Sequence, residues 1–281
     1  MFDPVVCESH AKVNLRLEVL ARRDDGYHLL QMINAQIALA DRIRFEPAES
    51  EITLTCSRSD LPCDESNLAW RAAAALFEHA GYRGGVRIHI DKRIPVAAGL
   101  GGGSGNAACV LASLNGLLGL GVPDRDLAAL GLRLGADVPF FLFGKPAVVR
   151  GIGEDVEPFE VAPDIPIALL NPGVGLSTAD VYRRASATLD LPKKPSTLPR
   201  RLSSAEEVAA EMHNDLETPA RALCPAIDDL LAHLRSRDAL AAMVSGSGPT
   251  VFGVFATHDA ARAAVADVPD EGWLAIATRT I

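Results

Sequence analysis

Apolar and polar residues alternate along the first part of the chain. From His10 to Val19 the odd positions carry apolar side chains, and the even positions carry polar ones that include Lys12 and Asn14. A period of two is typical of a β-strand with one buried face. The same reasoning predicts further strands over 29–39, 42–45 and 86–91. Capping residues and apolar spacing predict helices over 67–80 and 123–134.

The pattern changes near residue 160, where Pro158, Pro163 and Pro166 interrupt the chain. Beyond them, short apolar runs predict strands over 167–170, 243–244, 251–255 and 273–278. Helices are predicted around 206–235 and from residue 259, after a linker rich in proline and lysine over 191–200. That order favours an α+β fold in which an antiparallel sheet packs against helices. We therefore predict two domains, 1–160 and 161–281.

The stretch most informative about function is a glycine-rich loop before an apolar run, Pro-Val-Ala-Ala-Gly-Leu-Gly-Gly-Gly-Ser-Gly-Asn-Ala-Ala over 95–108. Glycine permits positive φ and lets an anion approach the backbone closely. A helix predicted to begin near Ser104, capped by Ser104 or Asn106, would point unpaired N–H groups at that anion. The loop therefore predicts a phosphate site, and the alternative is a flexible turn before a core helix. The predicted contacts are Pro95, Val96, Ala97, Ala98, Gly99, Leu100, Gly101, Gly102, Gly103, Ser104, Gly105 and Asn106.

Two common nucleotide-binding motifs do not fit this loop. The Walker motif needs a lysine after its second glycine, and no lysine lies between Lys92 and Lys145. The dinucleotide pattern Gly-x-Gly-x-x-Gly fails because its last position falls on Ser104 or Asn106. A different kind of phosphate loop is required.

Charge and cysteine content narrow the possible partners. The net charge of −9, with no basic stripe to offset it, argues against a nucleic-acid backbone as partner. The five cysteines are scattered, which indicates neither a disulfide framework nor a zinc site. The first residues lack the features of a signal peptide, and the uncharged run 94–123 contains too much glycine and asparagine for a membrane span. We expect a cytoplasmic protein with no membrane partner, and the sequence does not indicate its oligomeric state.

Several isolated residues could carry chemistry, and each also has a structural interpretation. Lys12 and Asn14 could form part of a solvated strand face, and Asp137 could cap a helix or turn. A carboxylate in apolar surroundings is usually paired with a cation, for which Lys12 is the candidate. The segment 246–248, Gly-Ser-Gly, is either a hairpin turn or a second anion loop. Tyr27 and Tyr182 lie in polar segments. Each is either a surface residue or part of an aromatic platform on which a nucleotide base stacks.

Eight short motifs occur in order over most of the chain, and together they resemble the GHMP kinases. They are Ala-Lys-Val-Asn-Leu at 11–15, Asp-Gly-Tyr-His at 25–28, the glycine loop, Gly-Ala-Asp-Val-Pro at 135–139, Gly-Ile-Gly-Glu at 151–154, Asn-Pro-Gly at 171–173 with Ser-Thr at 177–178, Asn-Asp-Leu-Glu at 214–217 and the segment 245–252. The resemblance implies a ribosomal-protein-S5-like N-terminal domain and a ferredoxin-like C-terminal domain. It also implies phosphoryl transfer from ATP, with Mg²⁺, to a hydroxyl of a small cytidine-diphosphate-linked polyol.

The resemblance also implies roles for individual residues. Asp137 would take the proton from the substrate hydroxyl, and Lys12 would hold that hydroxyl, while the glycine loop wraps the ATP phosphates. The implied substrate-binding residues are Asn14, Tyr27, His28, Thr178, Tyr182, Gly246, Ser247 and Gly248. Gly105 stands where the family usually has a second serine, so no metal ligand is assigned there. Relatives that act on mevalonate, homoserine or a sugar, and a non-catalytic nucleotide sensor, remain alternatives.

Overall fold

The computed structural model describes residues 2–269 and 272–281 of the chain. Its strands are β1 Val5–Arg22, β2 His28–Ala48, β3 Ile52–Cys56, β4 Gly85–Asp91, β5 Ala147–Gly151, β6 Asp155–Pro158, β7 Glu160–Val161, β8 Pro166–Asn171, β9 Arg201–Leu202, β10 His213–Asn214, β11 Ala241–Val244, β12 Val251–Val254 and β13 Leu274–Arg279. Its helices are α1 Leu68–Ala80, α2 Gly102–Leu117, α3 Asp124–Leu134, α4 Val138–Phe143, α5 Thr178–Thr188, α6 Ala205–Glu211, α7 Glu217–Leu223, α8 Ala226–Ser236 and α9 His258–Ala266.

Local capping signals predicted two helices well. The Asn67 side chain accepts a hydrogen bond from the Ala69 N–H at the start of α1, and Gly81 ends that helix in the left-handed conformation. Helix α3 follows Pro123, with Asp124 in its first turn. Both predicted helices are confirmed, because their boundaries depend on residues within one turn of each end.

Other elements differ from the prediction. Strand β2 runs unbroken through 28–48, where two strands were expected, and three helices occupy the region around 206–235 instead of two. Helix α4 was not predicted because six mostly apolar residues show no helical period. Helix α5 was not predicted because only Val181 and Ala185 of its residues are buried. These elements depend on packing more than on local pattern.

One compact unit comprises residues 2–11, 39–95 and 101–144. The second part of β2 pairs antiparallel with β4, from Arg42 opposite Asp91 to Ala48 opposite Gly85, and β3 pairs parallel with β4. Helices α1, α2, α3 and α4 pack on one another in this unit. Its core contains the fully buried side chains of Phe45, Leu76 and Phe140. This unit carries the start of helix α2.

The other compact unit comprises residues 12–38, 96–100 and, within the described part, 145–269 and 272–281. The first part of β2 pairs with β5, and β1 pairs parallel with β10. A four-stranded antiparallel sheet has the order β11-β12-β8-β13, and helices α8 and α9 pack on it. This confirms the predicted antiparallel sheet with helices. The domain division at residue 160, predicted along the sequence, stays a prediction.

Candidate active site

The glycine loop enters helix α2 through a left-handed residue. Ala97, Gly99 and Gly101 have φ of 51°, 75° and 70°. Helix α2 begins at Gly102, and the left-handed Gly101 before it is its N-cap residue. Because glycine has no side chain, no side-chain hydrogen bond caps this helix. The helix thus begins two residues before Ser104, close to the predicted start, but the expectation that Ser104 or Asn106 caps it is wrong, because the left-handed Gly101 ends the loop first. The first N–H groups of α2 still point out of its N-terminus, as an anion site requires.

Gly102 and Gly105, near the start of α2, are favoured by close packing and not by positive φ. A Cβ on Gly102 would lie 2.9 Å from Ile94 Cγ2 and 3.0 Å from Lys92 Nζ. A Cβ on Gly105 would lie 3.0 Å from Ser9 Oγ and 3.1 Å from the His10 carbonyl oxygen. A side chain at position 105 would therefore press on the backbone of β1. This is a physical reason for glycine where serine is usual in the family that the sequence resembles.

A buried ion pair stabilises the chain just before the loop. The Asp41 carboxylate, with no solvent exposure, accepts hydrogen bonds from Lys92 Nζ at 2.7 Å, the Arg93 N–H at 2.7 Å and the Ile94 N–H at 2.8 Å. Burial lowers the pKa of Lys92 below its usual value, against the opposing effect of Asp41. Since Lys92 Nζ also lies beside Gly102, the pair fixes the entry to the loop and places a cation near the start of α2.

Asp137 lies beside the first turn of α2 in the same unit. It occupies the N-cap position of α4, yet its side chain makes no capping hydrogen bond. A Cβ on Gly135, two residues earlier, would lie 3.5 Å from Ser104 Oγ. The turn that carries Asp137 and the start of α2 are thus neighbours, as a base acting close to a bound phosphate requires. Asp137 thus lies in a turn at a helix N-cap, as its structural interpretation expects, but its side chain does not cap the helix.

Lys12 and Asn14 form a buried polar group in the other unit. Lys12 is 4 % exposed and Asn14 has no exposure, so this face of β1 is not solvated. Lys12 Nζ donates a hydrogen bond to Asn14 Oδ1, and Asn14 Nδ2 donates to Asn34 Oδ1 at 2.7 Å. The Lys12 N–H donates to the carbonyl oxygen of Leu100 at 3.0 Å. Strand β1 therefore contacts the glycine loop directly within this unit. The pairing of Lys12 with Asp137 stays a prediction.

The segment 246–248 packs against the glycine loop and is more than a hairpin turn. The Ser245 hydroxyl donates to the carbonyl oxygen of Gly99 at 3.0 Å. Asn214 Nδ2 donates to the carbonyl oxygens of Val244 and Gly246, both at 2.8 Å. The hydroxyls of Thr178 and Ser247 share a hydrogen bond of 2.9 Å. Of the predicted substrate residues, the structure thus brings Thr178, Ser247 and the neighbouring glycines together.

Tyr182 packs on His28, also in this unit. Their ring centroids are 5.0 Å apart, with the planes inclined by 31°. The His28 ring is buried and Tyr27 is 58 % exposed. The expected platform of Tyr27 and Tyr182 stays a prediction, because the contact seen is between His28 and Tyr182. The two rings nevertheless lie in contact with each other, tilted, at one place in this unit.

Sequence reasoning assigned no individual role to several residues that organise the site, although two of them, Asn214 and Ser245, belong to the motifs that carry the family resemblance. These residues are Asn34, Asp41, Lys92, Asn214 and Ser245. Asn34 and Asp41 lie in β2 among other polar residues, such as Gln31, Gln36 and Arg42, and the sequence alone does not distinguish these two from the rest. The structure distinguishes them, because both side chains are fully buried and a buried polar group needs a partner. The partners themselves could not be predicted, because they come from distant parts of the chain.

Within residues 2–269 and 272–281, no helix is long and apolar enough to cross a membrane. Over the same ranges, no group of three or more histidine, cysteine or acidic side chains could hold a metal ion. The structure therefore assigns no metal ligands.

Two family models match the chain. The GHMP kinases N-terminal domain matches residues 67–145, and the GHMP kinases C-terminal domain matches residues 197–272. The first range contains all of the predicted glycine-loop contacts, helix α2 and Asp137. The second range contains Asn214 and the segment 246–248.

Curated relatives match nearly the whole chain. A 4-diphosphocytidyl-2-C-methyl-D-erythritol kinase from a Geobacter species is 45 % identical over 273 residues, which cover 96 % of this chain and 97 % of the relative. The kinase of the same name from Geobacter sulfurreducens is 44 % identical over 272 residues, with the same coverage of both chains.

Solved structures confirm the predicted two-domain architecture. A crystal structure of 4-(cytidine 5'-diphospho)-2C-methyl-D-erythritol kinase matches with a TM-score of 0.80 and 36 % identity, over 98 % of this chain and 99 % of that one. Homoserine kinase from Cytophaga hutchinsonii matches with a TM-score of 0.74, over 100 % of this chain and 95 % of that one, but at 18 % identity it shows the fold alone. With both domain models, the ordered motifs and relatives at this level of identity in agreement, the chain belongs to the GHMP kinase family.

Proposed function

We propose that this chain transfers the γ-phosphoryl group of ATP to the 2-hydroxyl of 4-diphosphocytidyl-2-C-methyl-D-erythritol. The observation that carries the proposal is the position of the Asp137 turn beside the start of helix α2, where Ser104 Oγ approaches Gly135. A helix start binds phosphate, and a neighbouring carboxylate can accept a proton from the attacking hydroxyl. The relatives that are 45 % and 44 % identical carry the name of this kinase, which supports the substrate.

Phosphoryl transfer passes through a loose transition state, so the enzyme contributes position and charge more than covalent chemistry. We assign the ATP phosphates to the loop 95–106, where backbone N–H groups at the start of α2 supply partial positive charge. Asp137 accepts the proton of the substrate hydroxyl as the bond to the γ-phosphorus forms. Lys12, held by Asn14, orients that hydroxyl and stabilises negative charge. Each such interaction is expected to lower the activation barrier by about 3–4 kcal/mol.

The substrate's base is assigned to the residues around His28. Tyr27 and Tyr182 would stack on the cytosine, while His28 reads its edge. Thr178, Ser247 and the glycines 246 and 248 would hold the diphosphate-linked polyol through hydroxyl and backbone N–H groups. Mevalonate and homoserine carry no base, so the ring contact between the buried His28 and the half-buried Tyr182 favours the cytidyl substrate over theirs.

Magnesium is proposed to enter as part of the ATP complex. Mg²⁺ keeps several waters and is commonly held by substrate phosphates with one or two carboxylates, so it needs no preformed cluster of protein ligands. When bound, it neutralises charge on the phosphate oxygens. We place the reaction in the cytoplasm, where ATP is available and where the five free cysteines stay reduced.

One assay tests the proposal. The purified chain is given ATP and Mg²⁺ with 4-diphosphocytidyl-2-C-methyl-D-erythritol, mevalonate or homoserine, and ADP release is followed with mass analysis of the product. We expect turnover with the cytidyl substrate and a product heavier by one phosphoryl group. The Asp137→Asn variant serves as the control for contaminating kinases. Turnover with mevalonate or homoserine alone would reassign the substrate, and ATP binding without any turnover would favour a nucleotide sensor.

A further inference from the structure

Asn34 is the last of three buried polar side chains that hydrogen bonds join across the neighbouring strands β1 and β2. Lys12 Nζ donates to Asn14 Oδ1, and Asn14 Nδ2 donates to Asn34 Oδ1 at 2.7 Å. Asn14 Nδ2 also lies 3.4 Å from the sulfur of Met32, which is a weak acceptor. Asn14 and Asn34 have no solvent exposure, and Lys12 is 4 % exposed. Bulk water therefore cannot replace the Asn34 oxygen as the acceptor for Asn14.

The charge of Lys12 fixes the orientation of both amides. A lysine ammonium donates hydrogen bonds and cannot accept one, so the Asn14 atom that faces Lys12 must be oxygen. The other end of that amide is then its NH₂ group, and the Asn34 atom that faces this group must again be oxygen. Reversing either amide would place two donors against each other. The orientation thus follows from the positions of the heavy atoms and from the charge of the lysine.

This orientation leaves the NH₂ group of Asn34 without an acceptor. Over residues 2–269 and 272–281, Asn34 Nδ2 is one of the buried side-chain nitrogens with no hydrogen-bond partner. A buried donor that lacks an acceptor lowers stability, and an apolar side chain of similar size would avoid that penalty. Asn34 therefore holds Asn14 in a way that the stability of the fold does not require.

We propose that Asn34 is a positioning residue for phosphoryl transfer, which holds the oxygen of the Asn14 amide toward Lys12 and so fixes the direction of the Lys12 ammonium. The proposal rests on the proposed function, because it concerns the lysine that we assign to the substrate hydroxyl. In this role Asn34 acts through Asn14 and does not touch the substrate. Without the Asn34 oxygen, Asn14 Nδ2 keeps only the weak acceptor of Met32, and the Asn14 amide is free to turn away from Lys12.

Two substitutions at position 34 test the acceptor. Asn34→Leu has nearly the same size and removes the oxygen. Asn34→Asp keeps an acceptor oxygen in either protonation state, because a protonated carboxyl group retains its carbonyl oxygen. We expect Asn34→Leu to lower kcat by about tenfold with KM for ATP unchanged, since one hydrogen bond that orients the lysine is lost. Asn34→Asp should keep kcat within about threefold of the unmodified enzyme.

Asn115, near the end of α2, provides the matched control. Its side chain donates to the Val122 carbonyl oxygen at 2.9 Å and accepts from the Val122 N–H at 3.0 Å. Asn115→Leu removes both bonds, so the midpoint of thermal unfolding should fall by at least about 2 °C while kcat is unchanged. Asn34→Leu should shift that midpoint by less than about 2 °C, because it removes one unpartnered NH₂ group while it weakens the bonding of another.

The two leucine variants should thus have opposite effects, with kcat lost in Asn34→Leu and thermal stability lost in Asn115→Leu. A normal kcat in Asn34→Leu, or an Asn34→Asp variant that is as slow as Asn34→Leu, would contradict the role of Asn34. If the unfolding midpoint of Asn34→Leu falls as far as that of Asn115→Leu, or if Asn115→Leu loses as much kcat, the effect is one of general support and the proposal is also wrong.

NMR of the full chain labelled with nitrogen-15 at asparagine gives a result that needs no substrate. In the unmodified protein and in Asn34→Asp, one proton on Asn14 Nδ2 should be protected from exchange with solvent by its bond to residue 34, and Asn34→Leu should lose that protection. An unprotected Asn14 amide in the unmodified protein would overturn the proposal. If the protection is present but the unmodified protein does not phosphorylate the cytidyl substrate, the proposed function fails, and with it the role of Asn34 in the reaction, while the hydrogen-bonded arrangement stands.

Discussion

Replacing Gly99 by alanine tests whether the two loops of the candidate site are built against each other. Gly99 has φ of +75°, which alanine rarely adopts. A Cβ at this position would lie 2.0 Å from the Ser245 carbonyl oxygen and 3.0 Å from the Gly248 backbone nitrogen. Neither contact can be relieved by rotating a side chain, because both atoms belong to the backbone. The substitution must therefore displace the loop or the segment 246–248.

The expected loss in the free energy of unfolding is the sum of two separate costs. Holding alanine in the left-handed region costs about 1–2 kcal/mol. Overpacking against fixed neighbours costs about 1–3 kcal/mol more. Gly99→Ala should therefore lower the free energy of unfolding by about 2–5 kcal/mol. It should also raise KM for ATP, because the displaced backbone is the part assigned to the phosphates.

Two control variants isolate the two costs. Gly121 has φ of +69° and nothing within 4 Å of a built Cβ, so Gly121→Ala should cost only about 1–2 kcal/mol. Gly116 lies in α2 with open space around it, and Gly116→Ala should stabilise the protein by about 0.5–1 kcal/mol.

Urea unfolding followed by two spectroscopic probes gives the free energies, and ADP release gives KM. If Gly99→Ala and Gly121→Ala lower the free energy of unfolding equally, the contact of Gly99 with Ser245 imposes no constraint. An unchanged KM for ATP in Gly99→Ala would remove Gly99 from the phosphate site.

Three further predictions concern single side chains. Asp137→Asn should lower kcat by about two to three orders of magnitude with little change in KM for ATP, because a base acts mainly in the transition state. Steady-state measurement of ADP release checks this prediction, and a near-normal kcat would exclude Asp137 as the base. Tyr182→Ala should raise KM for the cytidyl substrate by about tenfold or more, because the stacking on cytosine is lost, and it should leave KM for ATP unaffected. Inhibition by CMP should weaken in parallel. An unchanged KM for the cytidyl substrate would show that the cytosine does not stack on Tyr182. For Asp215, burial acts to raise the pKa, but hydrogen bonds from His213 and Lys193 lower it to about 2 from the ordinary 3.8. Its folded-state pKa is depressed, so its contribution of about 1–2 kcal/mol is present above pH 4 and is lost as the pH falls from about 4 to 2. Asp215→Asn should flatten stability against pH in that window, and a parallel curve for both proteins would contradict this.

The sequence predicted a strand or helix correctly where all the residues that determine it lie within one segment. The alternation around Lys12 predicted strand β1, and the caps of α1 are both local. It failed at Ser104, because serine is a good cap only when no left-handed glycine ends the loop first, and Gly101 does so. It also missed α5, whose register is set by burying Val181 and Ala185 against other elements.

By itself the sequence determined most of the longer strands and helices, the position of the glycine loop and the family. Those properties depend on residue type and on spacing along the chain. Only the tertiary structure decided that the polar face of β1 is buried, that Asp41 receives Lys92 from 51 residues away, and that His28 meets Ser186 from 158 residues away. The physical reason is that a polar side chain in a buried strand requires a partner, while its identity follows from strand register and helix packing, which no local pattern encodes.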